Sequence, residues 1–216
     1  MATEFSVTLV PVTPFAQNCA ILMDTASHDA VVIDPGGDAE RIAAAVAGLR
    51  ANVREIWLTH GHLDHAGGVE ALRGSLAGKV EVIGPHADDA FLLRSIAQQA
   101  ALYGIPGLQD ARTDRYLREG ETLHLGTQVF DVLHCPGHTP GHVVFVNRAA
   151  RFAVVGDVLF AGSVGRTDFA YGDHAALIAG IRQKLLPLGD DFAFICGHGP
   201  GSTLGTERRG NPFLQG

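Results

Sequence analysis

Four times in this chain a short apolar run ends in a turn marked by glycine or proline, and each turn carries histidine or aspartate. The densest is Thr59-His60-Gly61-His62-Leu63-Asp64-His65, straight after the apolar run at 55–58. Pro136-Gly137-His138-Thr139-Pro140-Gly141-His142 follows 129–133, Gly156-Asp157 follows 152–155, and Cys196-Gly197-His198-Gly199 follows 192–195. The runs read as strands, so the pattern calls for a fold in which several strand ends meet at one mouth. Glycine permits the backbone twist that would turn each polar side chain inward. Neutral imidazole and carboxylate are donors that borderline divalent metals prefer. Neighbouring side chains on one turn do not enclose an ion by themselves. The first run therefore reads as the shared wall of two adjacent metal sites, completed from the later turns.

The bulk properties narrow the function classes. With 216 residues, 46% hydrophobic and 18% charged, the chain is expected to form one domain over 1–216 with a real core. A net charge of −7, from 16 basic and 23 acidic residues, and the absence of basic clusters argue against a nucleic-acid partner. No apolar window approaches the ~18 residues of a membrane span. The start, Met1-Ala2-Thr3-Glu4-Phe5, has no basic segment followed by an apolar stretch, so no signal peptide is expected. Cys19, Cys135 and Cys196 are too few and too dispersed for a disulfide framework. A reducing cytoplasm is the expected compartment, and none of these features encodes an oligomeric state.

Strands are expected at 5–12, 18–23 and 30–33, the three antiparallel, then a helix at 39–49 capped by Asp38. A strand at 55–58 delivers the histidine run, and a short helix starts near Asp64, which can itself serve as its N-cap. A strand at 79–83 and a helix at about 88–102, with Phe91, Ile96 and Leu102 on its apolar face, come next. Hairpins follow at 123–125 with 129–133 and at 143–147 with 152–155. A helix at about 174–186, a strand at 192–195 and a polar surface extension at 205–216 complete the chain. Two packed sheets with helices outside would bury runs this apolar.

The order H-x-H-x-D-H, then a lone His, then Asp, then His resembles the metallo-β-lactamase superfamily. The resemblance implies an α/β fold, the four-layer αββα sandwich. It implies that His60, His62 and His138 hold one metal, that Asp64, His65 and His198 hold the second, and that Asp157 bridges them. The chain is most similar to the glyoxalase II (hydroxyacylglutathione hydrolase) family, in its short single-domain bacterial form. That similarity also rests on Pro-Phe-Ala-Gln-Asn-Cys at 14–19, Asp-Pro-Gly-Gly at 34–37, Gly165-Arg166-Thr167-Asp168-Phe169 and Gly197-His198-Gly199-Pro200. Longer members add a C-terminal helical domain that helps to hold glutathione, and this chain is expected to lack it. The family meets substrate through the loop containing Arg166, and Asp168 and Tyr171 are further candidates there. His142 is expected to support the site beside His138, whereas His28, His86, His124, His134 and His174 read as ordinary hydrogen-bonding residues. Cys135 and Cys196 read as structural thiols.

The chemistry implied is hydrolysis of a small anionic thioester of the S-lactoylglutathione type. Two divalent ions, zinc first and iron or manganese as options, would supply hydroxide near neutral pH. With Asp64 and Asp157 ionised, the centre carries roughly +2 formal charge, which favours an anionic substrate and a developing oxyanion. Asp64 would both bind metal and orient the nucleophile. A persulfide dioxygenase of the same scaffold, using one iron on His60, His138 and Asp157, is the main alternative. Lactonase activity and a non-catalytic metal-binding role complete the set. No G-x-S-x-G elbow offers a serine nucleophile.

Overall fold

The computed structural model describes residues 5–76 and 78–215. Met1–Glu4, where the leader was sought, lie outside the described residues. The first sheet contains β1 (Phe5–Val12), β2 (Gln17–Asp24), β3 (Asp29–Ile33), β4 (Asn52–Trp57), β5 (Glu81–His86) and β6 (Arg115–Leu117) in sequence order. The β1–β2 and β2–β3 pairs are antiparallel, as expected, and the remaining pairs are parallel. The second sheet contains β7 (Thr122–Leu125), β8 (Gln128–His134), β9 (Val143–Asn147), β10 (Phe152–Val154), β13 (Ala193–Ile195) and β14 (Ser202–Thr203), in the order β14-β13-β10-β9-β8-β7. Both expected hairpins form here. A small ribbon, β11 (Leu159–Phe160) with β12 (Ser163–Val164), lies between β10 and β13 in sequence.

The apolar runs are nearly continuous because both faces of each sheet are covered. In β2, Ala20 and Leu22 enter the layer between the sheets, while Cys19 and Ile21 enter the layer under the first group of helices. In β3 the residues Val31 and Ile33 divide in the same way from Ala30 and Val32. In β9, Val143 and Phe145 face the first sheet, and Val144 and Val146 face the helices beyond the second. Trp57 seals the middle, edge-on to Phe130 at 5.4 Å and tilted against Phe145 at 5.3 Å. The helices α1 (Ala39–Leu49), α2 (Leu63–Ala66), α3 (Val69–Ser75), α4 (Ala90–Leu93) and α5 (Ile96–Tyr103) lie along the first sheet. The helices α6 (His174–Gly180) and α7 (Leu204–Gly210) lie along the second. The four-layer αββα order is therefore present. Among the described residues no helix is long and apolar enough to cross a membrane.

Several local expectations give way to polar contacts. Asp38 precedes α1 but makes no side-chain cap bond, because its carboxylate accepts from the Thr13 amide at 2.9 Å. The helix expected from Asp64 splits into α2 and α3 at Gly67-Gly68, where the Gly68 amide bonds the Pro35 carbonyl at 2.9 Å. His62, not Asp64, takes the N-cap position of α2. The helix at 88–102 breaks into a 3-10 turn (Ala87–Asp89), α4 and α5, which places Phe91 and Leu102 in solvent and Asp89 in the interior. The helix at 174–186 ends its α form at Gly180 and continues as a π turn and then a 3-10 turn holding Pro187.

Of the expected surface extension, residues 205–215 instead pack against the second sheet. Buried Glu207 in α7 accepts from the Gly162 amide at 2.8 Å, Asn211 Nδ2 at 2.9 Å and the Ser202 hydroxyl at 2.5 Å. Hydropathy misses this because the anchor is a charged residue, satisfied by its neighbours Ser202 and Asn211 and by the distant Gly162 amide.

Candidate metal centre

The ends of β4, β8, β10 and β13 open toward one cleft, and all seven predicted metal ligands meet there. After Trp57 the chain leaves β4 through Leu58 and Thr59, so His60 and His62 project from a loop. The first turn of α2 then presents Asp64 and His65. His62 Nδ1 lies 3.1 Å from His60 Nε2 and 3.0 Å from His138 Nε2. These three atoms form one converging cluster, and Asp64, His65 and His198 form another. His198 Nε2 is 3.3 Å and His65 Nε2 is 3.9 Å from Asp64 Oδ2. Asp157 lies between the two, with Oδ1 3.4 Å from His65 Nε2 and Oδ2 3.5 Å from His138 Nε2 and 3.6 Å from His198 Nε2.

The outer nitrogens fix the proton positions. His138 Nδ1 contacts the Arg166 carbonyl at 2.8 Å, and His198 Nδ1 contacts the Phe15 carbonyl at 3.1 Å. A carbonyl only accepts, so both rings carry hydrogen on Nδ1 and turn Nε2 inward. His65 Nδ1 likewise meets Asp34 Oδ2 at 2.9 Å and leaves Nε2 facing the centre. His60 Nδ1 reaches the Thr59 hydroxyl at 3.0 Å, which donates onward to Asp34 Oδ2 at 2.6 Å. His62 is reversed: its Nε2 meets the Tyr171 hydroxyl at 2.9 Å and its Nδ1 points inward. His142 stacks on His60 with ring centroids 4.6 Å apart, and its Nε2 accepts from the Asp157 amide at 3.0 Å. It thus supports His60 and Asp157 more directly than His138, whose ring centroid is 6.2 Å away.

Asp34 is a residue whose role the sequence did not announce, since Asp34-Pro-Gly-Gly reads as a turn. It sits at φ 52° and is buried, with Oδ1 accepting from the Thr59 amide at 2.7 Å. Aspartate tolerates this left-handed conformation better than most residues. Its three bonds tie the strand end before His60 to the ring of His65.

The electrostatics favour cations at this place. Burial, then neighbouring imidazoles, hold His60 and His142 well below the ordinary histidine range. Burial and His138 bring His62 down to about 3, and burial also lowers His138. These rings are neutral, the form that donates a lone pair. Burial also opposes charge on His65, yet Asp157 and Asp64 push it well above its usual value. Burial raises the two carboxylates, but His65 together with the other surrounding histidines outweighs it and holds both Asp64 and Asp157 low. Buried His65 Nε2 and Asp157 Oδ1 have no hydrogen-bond partner. Converging lone pairs, two ionised carboxylates and orphaned donor atoms fit divalent cations. Space is matched just as closely. A Cβ on Gly197 would fall 2.0 Å from Asp157 Oδ1 and 2.6 Å from His65 Cε1.

The cleft above these atoms measures about 480 Å³, and Phe15, Tyr103, Phe160, Phe169 and Tyr171 give it an aromatic wall. Phe169 and Tyr171 stack at 5.2 Å. Arg166 lines the cleft, but its guanidinium forks onto Asp168 at 2.6 and 2.8 Å and lies 4.6 Å over Phe169. Asp168 is exposed and not among the lining residues, so of the three substrate candidates Arg166 and Tyr171 reach the cleft and Asp168 braces Arg166. The thiols stay out of the chemistry. Burial pushes Cys135 up to about 12 and Cys196 up to about 11, and Cys196 bonds the His198 and Pro200 carbonyls. His86 and His134 stack on each other at 4.3 Å, and His28, His124 and His174 are exposed.

Known proteins resemble this chain in sequence and fold. The model of the Metallo-beta-lactamase superfamily matches residues 12–198. Hydroxyacylglutathione hydrolase GloC of Haemophilus influenzae is 45% identical over 210 residues, covering 97% of this chain and 98% of that protein. The crystal structure of BLEG-1 B3 metallo-beta-lactamase superposes with a TM-score of 0.89 at 36% identity, over 98% of this chain and 100% of that one. TTHA1623 in a di-iron-bound form gives 0.86 at 36% identity, over 96% and 100%.

Proposed function

The chain belongs to the metallo-beta-lactamase superfamily, and from that premise we propose that it is a binuclear metallohydrolase cleaving thioesters of the hydroxyacylglutathione type. The observation that carries this is the orientation of five histidines. Each of His60, His62, His65, His138 and His198 ties one ring nitrogen to an outer partner and aims the other at the space around Asp64 and Asp157. His60, His62 and His138 would hold one ion, Asp64, His65 and His198 the second, and Asp157 both. Zinc suits this donor set, as do iron and manganese, and a relative with two irons accords with that range. Such ions supply a water-derived nucleophile near neutral pH and polarise a carbonyl.

The remaining work falls to the chain. Asp64, kept ionised by its histidine neighbours, is placed to orient the attacking water and accept its proton. Tyr171 fixes the ring of His62, and the carbonyl of residue 166 fixes that of His138. The aromatic wall shields the acyl group, while Arg166 offers the cleft's charged contact to a small anionic thioester. A lactone presents the same carbonyl to the same groups. The dioxygenase alternative employs His60, His138 and Asp157 and leaves the Asp64, His65 and His198 cluster without work, whereas the hydrolase uses all seven residues.

The test joins metal analysis to an S-lactoylglutathione assay. Two metal equivalents per chain and release of free thiol are expected. Protein loaded with two metals that leaves this thioester and its close analogues intact would overturn the reading.

A further inference from the structure

Asp89 lies in the 3-10 turn between β5 and α4 and is fully buried. Its Oδ2 accepts from the Gly61 amide at 2.8 Å and from the Thr139 hydroxyl at 2.7 Å, and its Oδ1 accepts from the Gly141 amide at 2.5 Å. Gly61 separates His60 from His62, Thr139 follows His138, and Gly141 precedes His142. One carboxylate therefore bonds two loops that leave different sheets and that together hold all three donors of one cluster. The approach is close enough to dictate sequence. A Cβ on Gly141 would stand 2.5 Å from the Asp89 nitrogen and 2.7 Å from its Cγ. Asp34 occupies the corresponding place for the other side, bonded to His65 and, through Thr59, to the strand end.

Burying a carboxylate is costly unless its oxygens are satisfied. Here the satisfying donors are groups whose positions decide where histidine nitrogens point. Partners of this outer kind typically govern metal affinity by 10–100-fold. We infer that Asp89 is a positioning residue that sets the separation of the two histidine loops, and so tunes the His60–His62–His138 cation position selectively. The Asp64–His65–His198 position stays under the control of Asp34. This rests on the two-metal reading above.

The experiment follows metal release from the metal-loaded protein into graded concentrations of a chromophoric chelator. Wild type, Asp89→Ala, Asp89→Asn and Thr139→Val are compared. In Asp89→Ala one equivalent should leave at a chelator strength about 10–100-fold lower, with the other unmoved. Asp89→Asn should recover part of the loss, since its amide oxygen still accepts although its NH2 now faces a donor. Thr139→Val, which leaves both amide bonds intact, should shift the same equivalent by less than about tenfold. If Asp89→Ala does not fold, the Asn and Val variants carry the same ordering. Unchanged release, or equal displacement of both equivalents, would overturn the inference. Wild-type protein that holds no metal would refute the two-metal reading first, whereas two metals with an indifferent Asp89→Ala would refute this inference alone.

Discussion

The two sheets equip the centre in opposite ways. The first supplies His60, His62, Asp64 and His65 from one contiguous run, braced by the carboxylate of Asp34 and, jointly with the His138 loop, by that of Asp89. The second supplies His138, Asp157 and His198 one at a time from three strand ends. Its two histidines are held by main-chain carbonyls, and Asp157 by an amide bond to His142. A contiguous run concentrates its information in the sequence and depends on side chains for support. A dispersed set depends on strand order, and its carbonyl supports do not depend on which side chain the residue carries.

That contrast can be broken most severely at Asp157, the one residue of the second sheet that reaches histidines of both clusters. Asp157→Ala should reduce metal content at both positions and lower thioester turnover by more than the roughly 100-fold expected of an outer partner. Retention of two tightly bound ions, measured by metal analysis, would show that the dispersed set is dispensable. Asp64→Ala comes next, with turnover expected to fall about 10²-fold or more from loss of the water-orienting carboxylate. Steady-state rates near wild type would sink that role. Arg166→Ala should have the smallest effect, a several-fold higher KM for anionic thioesters with kcat and metal content nearly unchanged. The carbonyl that orients His138 survives this substitution. Loss of metal in Arg166→Ala would mean that His138 is held by the Arg166 side chain as well as by its carbonyl.

Legibility in the sequence followed the same division. The run from His60 to His65 identifies itself by density, and the double-sided burial of β2, β3 and β9 is visible as unbroken apolar stretches. His138, Asp157 and His198 became readable only through their order after that run and the resemblance it completes. Asp34, Asp89 and Glu207 were not readable in their roles. Each is a carboxylate that accepts from a donor 25, 28 or 45 positions away, Thr59, Gly61 and Gly162 respectively. The break between α4 and α5 also depends on distant partners, since the Ala97 amide donates to Asp110 and the Leu93 carbonyl accepts from the Ala111 amide. Helical periodicity predicts which face is apolar, but not a break that leaves Phe91 and Leu102 exposed. Arg166 lines the cleft, and its pairing with Asp168 is a matter of loop geometry.

The alternation along the shared strands has a bearing on modularity. A cut between β6 and β7 would separate the contiguous ligand run from the dispersed set, a natural place to split the chain into complementing fragments. Each fragment would then present a whole apolar sheet face, Trp57 and Ile83 on one and Phe130 and Phe145 on the other. Exposed surfaces of that kind drive fragments to associate with each other or to aggregate. Each donor cluster also draws on both halves, His60 and His62 with His138, Asp64 and His65 with His198, so neither fragment would carry a complete set.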